Sequence, residues 1–328
     1  KRGTDGKARE KTYEQIPEKL IFLKIQEEGS IMRKIVMGTR GSVLAVAQAE
    51  TVKKMLIEKI PGLTVEIKKI VTSGDRDQTT NWGGDSSLKS MFVKEIEREL
   101  LEGTIDFAVH SMKDMPQISP EGLINACFPI REDNRDVLVS KNNTVFSKMP
   151  SGSVIGTSSL RRKSAVTELY PEMEIKPIRG NIHTRLGKLD SGEYDGIILA
   201  AAGLIRTGLE SRISEYIDPE KMPPAPAQGI LCVQCRENNM EILEILKEID
   251  ESETRIICEA ERGFSRIFDG GCHTPMGCFA VIKEEEIFLK GMFCSGEKMY
   301  FGEAGGSIEN PKEAAQKLAE IIRRQINE

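Results

Sequence analysis

The stretch RKIVMGTRGSVLAVAQAETVKKMLIEKIPGLTVEIKKIVT, residues 33–72, contains three segments of different pattern. RKIVMGT reads as a short apolar strand, SVLAVAQAETVKKMLIEKI as an amphipathic helix and LTVEIKKIVT as a second strand. Strand, helix, strand in that order is the building unit of a parallel sheet. The polar, glycine-bearing run TSGDRDQTTNWGGDSS follows, and segment 75–90 within and beyond it is expected to move. The helix MFVKEIERELLEG and the buried strand IDFAVHS come next.

A second unit of the same kind begins after REDNRDVLVS. GSVIGTS reads as a strand, SSLRRKSAVTELY as a helix, EIKPIRG as a strand, NIHTRLGKLDSG as a helix and YDGIILAAAGLIR as a buried strand with its following turn. The proline-rich PPAPAQGILCVQCR reads as a crossover back to the first unit. Beyond the helical ESETRIICEAERGFSRIF, GCFAVIKEEEIFLKGMFCS and KMYFGEAGG look like antiparallel strands and PKEAAQKLAEIIRRQI like a closing helix. The expected fold class is α/β, with two α/β domains and a smaller α+β C-terminal domain. The expected boundaries are a flexible, highly charged extension at 1–31, domain 1 at 32–130 and 228–248, domain 2 at 134–224, and domain 3 at 252–328.

With 328 residues, 39% hydrophobic and 30% charged, the chain is long enough for several buried cores. No run approaches the roughly 18 apolar residues that a membrane span needs, and the N-terminus lacks the order of a signal peptide. A cytoplasmic protein is therefore expected, without a membrane partner. A net charge of −5 argues against a nucleic-acid partner, whose phosphates call for a basic face. Seven cysteines, an odd number without scaffold spacing, read as reduced thiols.

Arginine-bearing turns recur where strands run into helices. GTSSLRR, residues 156–162, sets Thr157, Ser158, Ser159, Arg161 and Arg162 at one such turn. Helix N-termini favour anions, and the guanidinium fork binds carboxylate or phosphate. The plainer reading is an ordinary hydroxyl N-cap with solvated arginines. Two further examples weigh against it: Arg179 and Arg185 in IRGNIHTRLGKL, and Arg40 with Ser42 in MGTRGS. Ligands of open α/β sheets bind beyond the carboxyl ends of the strands, so these turns point to one cleft lined for several anionic groups. Neither GxxxxGK[ST] nor a GxGxxG after a strand is present, so a nucleotide phosphate is not the favoured anion. HSMKDMP, residues 110–116, places His110, Lys113 and Asp114 at the end of another strand. A carboxylate there can stabilise a developing cation or accept a proton; the plainer reading is a capping aspartate.

GGCHTPMG, residues 270–277, puts Cys272 beside His273 in a turn. The thiol could ligate a metal, act as a nucleophile, anchor a group covalently or fill space. Zinc is disfavoured, because Cys232-x-x-Cys235 has no second such pair and sits in a strand-like run that places the two sulfurs on opposite faces. A Cys–His nucleophile is disfavoured by adjacency, which points the imidazole away from the sulfur. Cys127, Cys258, Cys278 and Cys294 lie in apolar settings and read as buried thiols.

Taken together, TRGSVLAVAQ, TSGDR, FVKEIEREL, DFAVHSMKDMP, REDNRDVLVS, IGTSSLRR, IRGNIHTRLGKLDSGEYDGIILAAAGL, PAPAQG and GGCHTPMG are similar to the porphobilinogen deaminase (hydroxymethylbilane synthase) family, in order and spacing, from Met32 to about Glu328. The resemblance implies two domains like those of periplasmic binding proteins and a third carrying a cofactor cysteine. It implies a monomeric transferase that joins four porphobilinogen units head to tail with loss of ammonia, releasing linear hydroxymethylbilane. By that likeness Cys272 holds a covalent dipyrromethane cofactor, one per chain, and Asp114 is the catalytic carboxylate that stabilises the electron-poor azafulvene. Arg40, Ser42, Lys89, Ser111, Lys113, Thr157, Ser158, Ser159, Arg161, Arg162, Arg179, Arg185 and Arg206 are implied to bind cofactor or substrate carboxylates; no metal is implied. Asp85 departs from the family, many members having a lysine there, and Ile205 stands where a basic residue is frequent. His273 occupies a variable position, and residues 1–31 match nothing in the family. The alternative is a non-enzymatic anion-binding protein on the same two-domain scaffold.

Overall fold

A computed structural model describes residues 34–72, 87–268, 274–296 and 298–328, with side chains from residue 93 onward in the second stretch. The extension at 1–31, residues 73–86 with Asp85 and most of the segment 75–90 that was expected to move, and Cys272 with His273 lie outside the described residues.

The opening unit forms as its pattern dictates. Strand β1 (Ile35–Arg40) pairs in parallel with β2 (Val65–Ile70) and β3 (Phe107–Ser111). Between the first two, helix α1 (Val43–Lys59) is capped by Ser42, whose Oγ accepts from Ala45 N at 3.2 Å, supplying a partner to an otherwise orphan N–H. It stops before Pro61 and Gly62, the latter at φ +87°, because proline cannot continue a helix and glycine accepts a left-handed turn without strain. Helix α2 (Ser87–Leu101) precedes β3, and β4 (Leu123–Cys127) completes this part of the chain.

The chain then crosses to the second domain through β5 (Asp136–Ser140), followed by β6 (Val154–Gly156), α3 (Leu160–Leu169), β7 (Glu174–Lys176), α4 (Ile182–Asp190), β8 (Gly196–Ala200), α5 (Ala201–Arg206) and β9 (Glu215–Tyr216). It returns through β10 (Leu231–Arg236), after which come α6 (Met240–Lys247) and α7 (Ser252–Ile267). The two five-stranded sheets have matching orders, β2-β1-β3-β10-β4 and β7-β6-β8-β5-β9. In each, the fourth strand alone runs antiparallel, and in each it is the strand by which the chain arrives from the other domain. REDNRDVLVS thus supplies a strand of the second sheet instead of merely preceding it. It escapes a search for strand–helix–strand units because only two short 3₁₀ turns, and no α-helix, separate β5 from β6.

Each sheet is covered on both faces. On the first, Ala49, Val52 and Leu56 of α1 and Ile242 and Leu246 of α6 pack one side, while Ile96 and Leu100 of α2 pack the other. On the second, Ala165 and Val166 of α3 lie opposite Leu186, Leu189 and Leu204 from α4 and α5. The third domain is an antiparallel sheet of β11 (Met276–Lys283), β12 (Glu286–Ser295) and β13 (Lys298–Ser307), with α7 and α8 (Pro311–Asn327) on one face. Met292, Cys294 and Met299 join the core of the second domain.

The three parts meet at one carboxylate. Glu261 of α7, with no exposed surface, accepts both Nη atoms of Arg131 at 2.7 and 3.0 Å, the N–H of Ala227 at 2.6 Å and the N–H of Ala280 at 2.9 Å. Arg131 begins one crossover, Ala227 lies in the other, and Ala280 belongs to β11. The crossovers also press together directly: a Cβ on Gly229 would lie 2.3 Å from the Glu132 carbonyl oxygen, so only glycine fits.

Removing one partner of a buried ion pair leaves the other uncompensated, and Glu261→Ala is expected to cost about 3–5 kcal/mol. Urea unfolding checks it; a loss below about 0.5 kcal/mol, the range of an ordinary surface change, would show that Glu261 does not tie the parts together.

Candidate functional site

The carboxyl ends of β1, β3, β6 and β8 carry the polar turns, as the parallel topology requires. Arg40 closes β1, and Ser42 caps the helix that follows. Ser111 closes β3, and Lys113 and Asp114 sit in the single 3₁₀ turn after it. Asp114 is exposed, Lys113 half-buried. Two contacts fix this turn. Gln48 of α1 donates from Nε2 to Ser111 Oγ at 2.7 Å, and Arg262 of α7 donates to the carbonyls of Met115 and Pro116 at 3.1 and 2.6 Å.

In the second domain Thr157 is buried and its Oγ1 accepts from Ser159 N at 3.2 Å, while Ser159 caps α3. Ser158 exchanges hydrogen bonds with the backbone of Ile178, donating at 2.8 Å and accepting at 3.1 Å. These hydroxyls therefore shape the turn as well as lining it.

Arg161 and Arg162 are not solvated. Both are buried against Asp136, the first residue of β5, at 2.7 Å each. Arg162 also donates to the Ile198 carbonyl at 3.0 Å, and Arg161 to that of Pro223 at 2.8 Å. Burial alone would raise the Asp136 pKa, but the two guanidinium charges hold it well below the usual carboxylate range. Gln228 extends the network, donating to Asp136 Oδ1 at 2.9 Å and to the Asn134 carbonyl at 2.8 Å while accepting from Lys113 Nζ at 3.2 Å. Burial pushes the pKa of the Lys113 ammonium down; the charges of Asp114 and Asp136 oppose that shift, and those of Arg162 and Arg161 add to it. A continuous polar chain thus runs from the turn after β3 to the turn after β6, across the two domains.

Arg185 and Arg206 complete the cationic lining. Arg185 is half-buried, donates from Nε to the Gly180 carbonyl at 2.8 Å, and has its pKa lowered to about 10 by burial and by the charge of Arg162. Arg206 donates from Nη2 to the Gly229 carbonyl at 2.7 Å, yet its buried Nε has no partner among the described residues, and burial lowers its pKa to about 10. Arg179 is exposed after β7. Lys89 lies in α2 with its side chain outside the described residues, as is the whole of Cys272.

His110 takes no part in this lining. It is buried in β3 and burial pushes its pKa down to about 4, with the charge of Arg40 adding to the effect, so the imidazole is neutral at ordinary pH. Cys232 and Cys235 belong to different cores on the two faces of β10, as strand alternation requires. Cys127, Cys258, Cys278 and Cys294 are buried, and desolvation pushes the Cys258 thiol up to about 12.

Asp136, Gln228, Gln48 and the Arg131–Glu261 pair were not singled out from sequence. Arg131, Asp136 and Gln228 lie in the crossover segments REDNRD and PAPAQG, which have no periodicity of their own and become informative once they lie side by side, whereas Gln48 and Glu261 are single polar residues on α1 and α7.

Residues 35–244 match the family described as "Porphobilinogen deaminase, dipyromethane cofactor binding domain", and residues 255–324 match "Porphobilinogen deaminase, C-terminal domain". The porphobilinogen deaminase of Fusobacterium nucleatum subsp. nucleatum is 52% identical over 295 residues, 90% of this chain and 99% of that protein. Those of Macrococcus caseolyticus and Bacillus subtilis are 45% and 44% identical, over 89% of this chain and 95% and 93% of theirs. These matches span the two crossovers, the arginine-bearing turns and the third domain together, and the chain belongs to the porphobilinogen deaminase family.

Proposed function

We propose that this chain is a hydroxymethylbilane synthase, a transferase of tetrapyrrole biosynthesis that joins four porphobilinogen units head to tail with release of ammonia. The observation that carries this reading is the polar chain Lys113–Gln228–Asp136–Arg161/Arg162 across the cleft. Porphobilinogen brings an acetate and a propionate per ring, so a growing oligomer accumulates carboxylates beside cations already fixed in place.

The residues fit a polycarboxylate cofactor. The partnerless buried Nε of Arg206 and the depressed pKa of Arg185 both mark guanidinium groups that an anion would stabilise. Lys113, Arg161, Arg162, Thr157, Ser158 and Ser159 would hold the dipyrromethane, with Arg40, Ser42, Lys89, Ser111, Arg179, Arg185 and Arg206 around cofactor and incoming substrate. Cys272 would anchor it covalently. When bound, the dipyrromethane supplies the free pyrrole α-carbon from which the product chain grows. Asp114, exposed into the cleft and pinned by the flanking turn, stabilises the cation left when porphobilinogen loses ammonia and accepts the proton released on coupling. Asp136 keeps two guanidinium groups aimed without reorganisation.

We place the domain limits at 32–130 with 228–248, 134–224 and 252–328, supported by β10 lying in the first sheet. The protein acts as a monomer in the cytoplasm, without nucleic acid; among the described residues no helix is long and apolar enough to cross a membrane.

Intact-mass measurement is expected to exceed the sequence mass by roughly 420 Da, two deaminated porphobilinogen units on a covalently modified cysteine, and the excess should vanish in Cys272→Ser. An active protein of unmodified mass would defeat the anchoring role. Asp114→Asn should fold normally yet lose about 100- to 1,000-fold in kcat for hydroxymethylbilane formation, the scale for removing one preorganised charge; near-normal turnover would remove Asp114 from its role. Because the Asp136 pKa is depressed on folding, its contribution is complete above the ordinary carboxylate value near ~4 and is lost as pH falls through the folded value. Asp136→Asn should therefore lower the urea midpoint at pH 7, with the gap to the parent narrowing below about pH 4; a gap independent of pH would mean that the charge is not what stabilises.

A further inference from the structure

A proline carbonyl lies between the second domain and the third. Pro223 is buried in the returning crossover, and its carbonyl accepts from Arg161 Nη1 at 2.8 Å. The same nitrogen stands 2.7 Å from Asp136 Oδ2, so the crossover and β5 hold Arg161 together. That carbonyl also presses on β11: a Cβ on Gly277 would lie 2.2 Å from Pro223 O and 2.9 Å from Pro224 O. Both are main-chain atoms, which cannot swing aside as the tip of a side chain can. The next residue fixes the approach, because Cys278 N donates to the Pro224 carbonyl at 2.9 Å.

Gly277 does not occupy the left-handed region, and a glycine inside a strand weakens it unless another backbone must come close. What it provides here is contact distance. It is paired across the sheet with Met292, which packs in the core of the second domain, so Gly277 stands on the face turned toward that domain. In the chain it follows Cys272 by five residues. The start of β11 is moored twice, to Pro224 and to β12, where Cys294 N donates to the Pro275 carbonyl at 2.9 Å.

We infer that Gly277 is a positioning residue: acting through the Pro223 carbonyl, it sets how close the strand that follows the anchoring cysteine lies to Arg161. The inference rests on the function proposed above. A carbon needs about 1 Å more room beside a carbonyl oxygen than is available. With a side chain at 277, either β11 draws back or the carbonyl turns away from Arg161, and the cofactor-bearing domain loses register with the arginine pair. Arg40, Ser42 and Asp114 belong to the first domain and stay where they are, so the change falls on turnover and not on the grip on incoming porphobilinogen.

The test compares Gly277→Ala with the parent holoenzyme. An arginine-selective dicarbonyl reagent, its sites read by peptide mass spectrometry, should modify Arg161 roughly tenfold faster in the variant, the scale of one hydrogen bond to a charged group. Arg162 is held by Asp136 and the Ile198 carbonyl without help from the crossover. It should keep its parental rate, whereas loss of cofactor or general loosening would expose both arginines. Per cofactor-bearing chain, counted by intact mass, kcat for hydroxymethylbilane formation should fall about 100-fold, the scale of a 1 Å misplacement, with KM within about threefold of the parent. An unchanged Arg161 rate overturns the inference, as does an equal rise at Arg161 and Arg162, a kcat within about threefold of the parent, or a loss confined to KM. If the parent neither carries the cofactor mass nor forms hydroxymethylbilane, the proposed function fails, and selective labelling of Arg161 still decides the contact. Should Gly277→Ala not fold, Pro223→Gly, which frees the same carbonyl to turn without adding bulk, takes its place; the same readings are expected and the same results overturn the inference.

Discussion

A fully buried carboxylate, Glu261, accepts hydrogen bonds from both crossover segments and from the third sheet. Desolvating such a charge is tolerated only where its acceptor capacity is nearly filled, and here four donors do so. The consequence is geometric. The two crossovers cannot separate, and α7 cannot leave them, without exposing a charge to an interior that does not solvate it. Ala227, at φ +62°, holds a conformation that L-residues rarely adopt, and its N–H to Glu261 is one of the bonds that holds it there.

The same economy recurs at the cleft. Arg161 and Arg162 are cations that a solvated surface would leave mobile; Asp136 holds both and is itself fully enclosed. Since one carboxylate faces two guanidinium groups, the cluster keeps a net positive charge and remains receptive to anions. Lys113 joins from the opposite domain through Gln228, so the receptive groups belong to both walls.

Much of the architecture was legible from period alone, because β1–α1–β2 and β6–α3–β7 alternate strand and helix patterns with capping residues between. Short elements were not: the strands β4 and β9 and the eight-residue helix α6 have too few residues to show a period. The antiparallel role of β5 depends on which strand it meets, a tertiary fact. The arginine turns were visible as motifs, but whether a given arginine pairs internally depends on Asp136, 25 residues earlier in the chain than Arg161 and contributed by a different strand. Residues at 269–273, including the cysteine on which the family resemblance bears most directly, are not among those described.

The position of β10 also orders events during synthesis. This strand fills the gap between β3 and β4, yet it lies beyond the entire second domain in the chain. Until residue 236 has emerged, β3 and β4 each present an open edge, and the apolar surfaces meant for Val233 and Cys235 remain uncovered. Pairings of such long sequence separation form slowly, because the loop must close before the contact is gained. The first domain to be made is therefore the last of the two sheets to be finished, and prior folding of the second domain shortens the loop that its completion has to close.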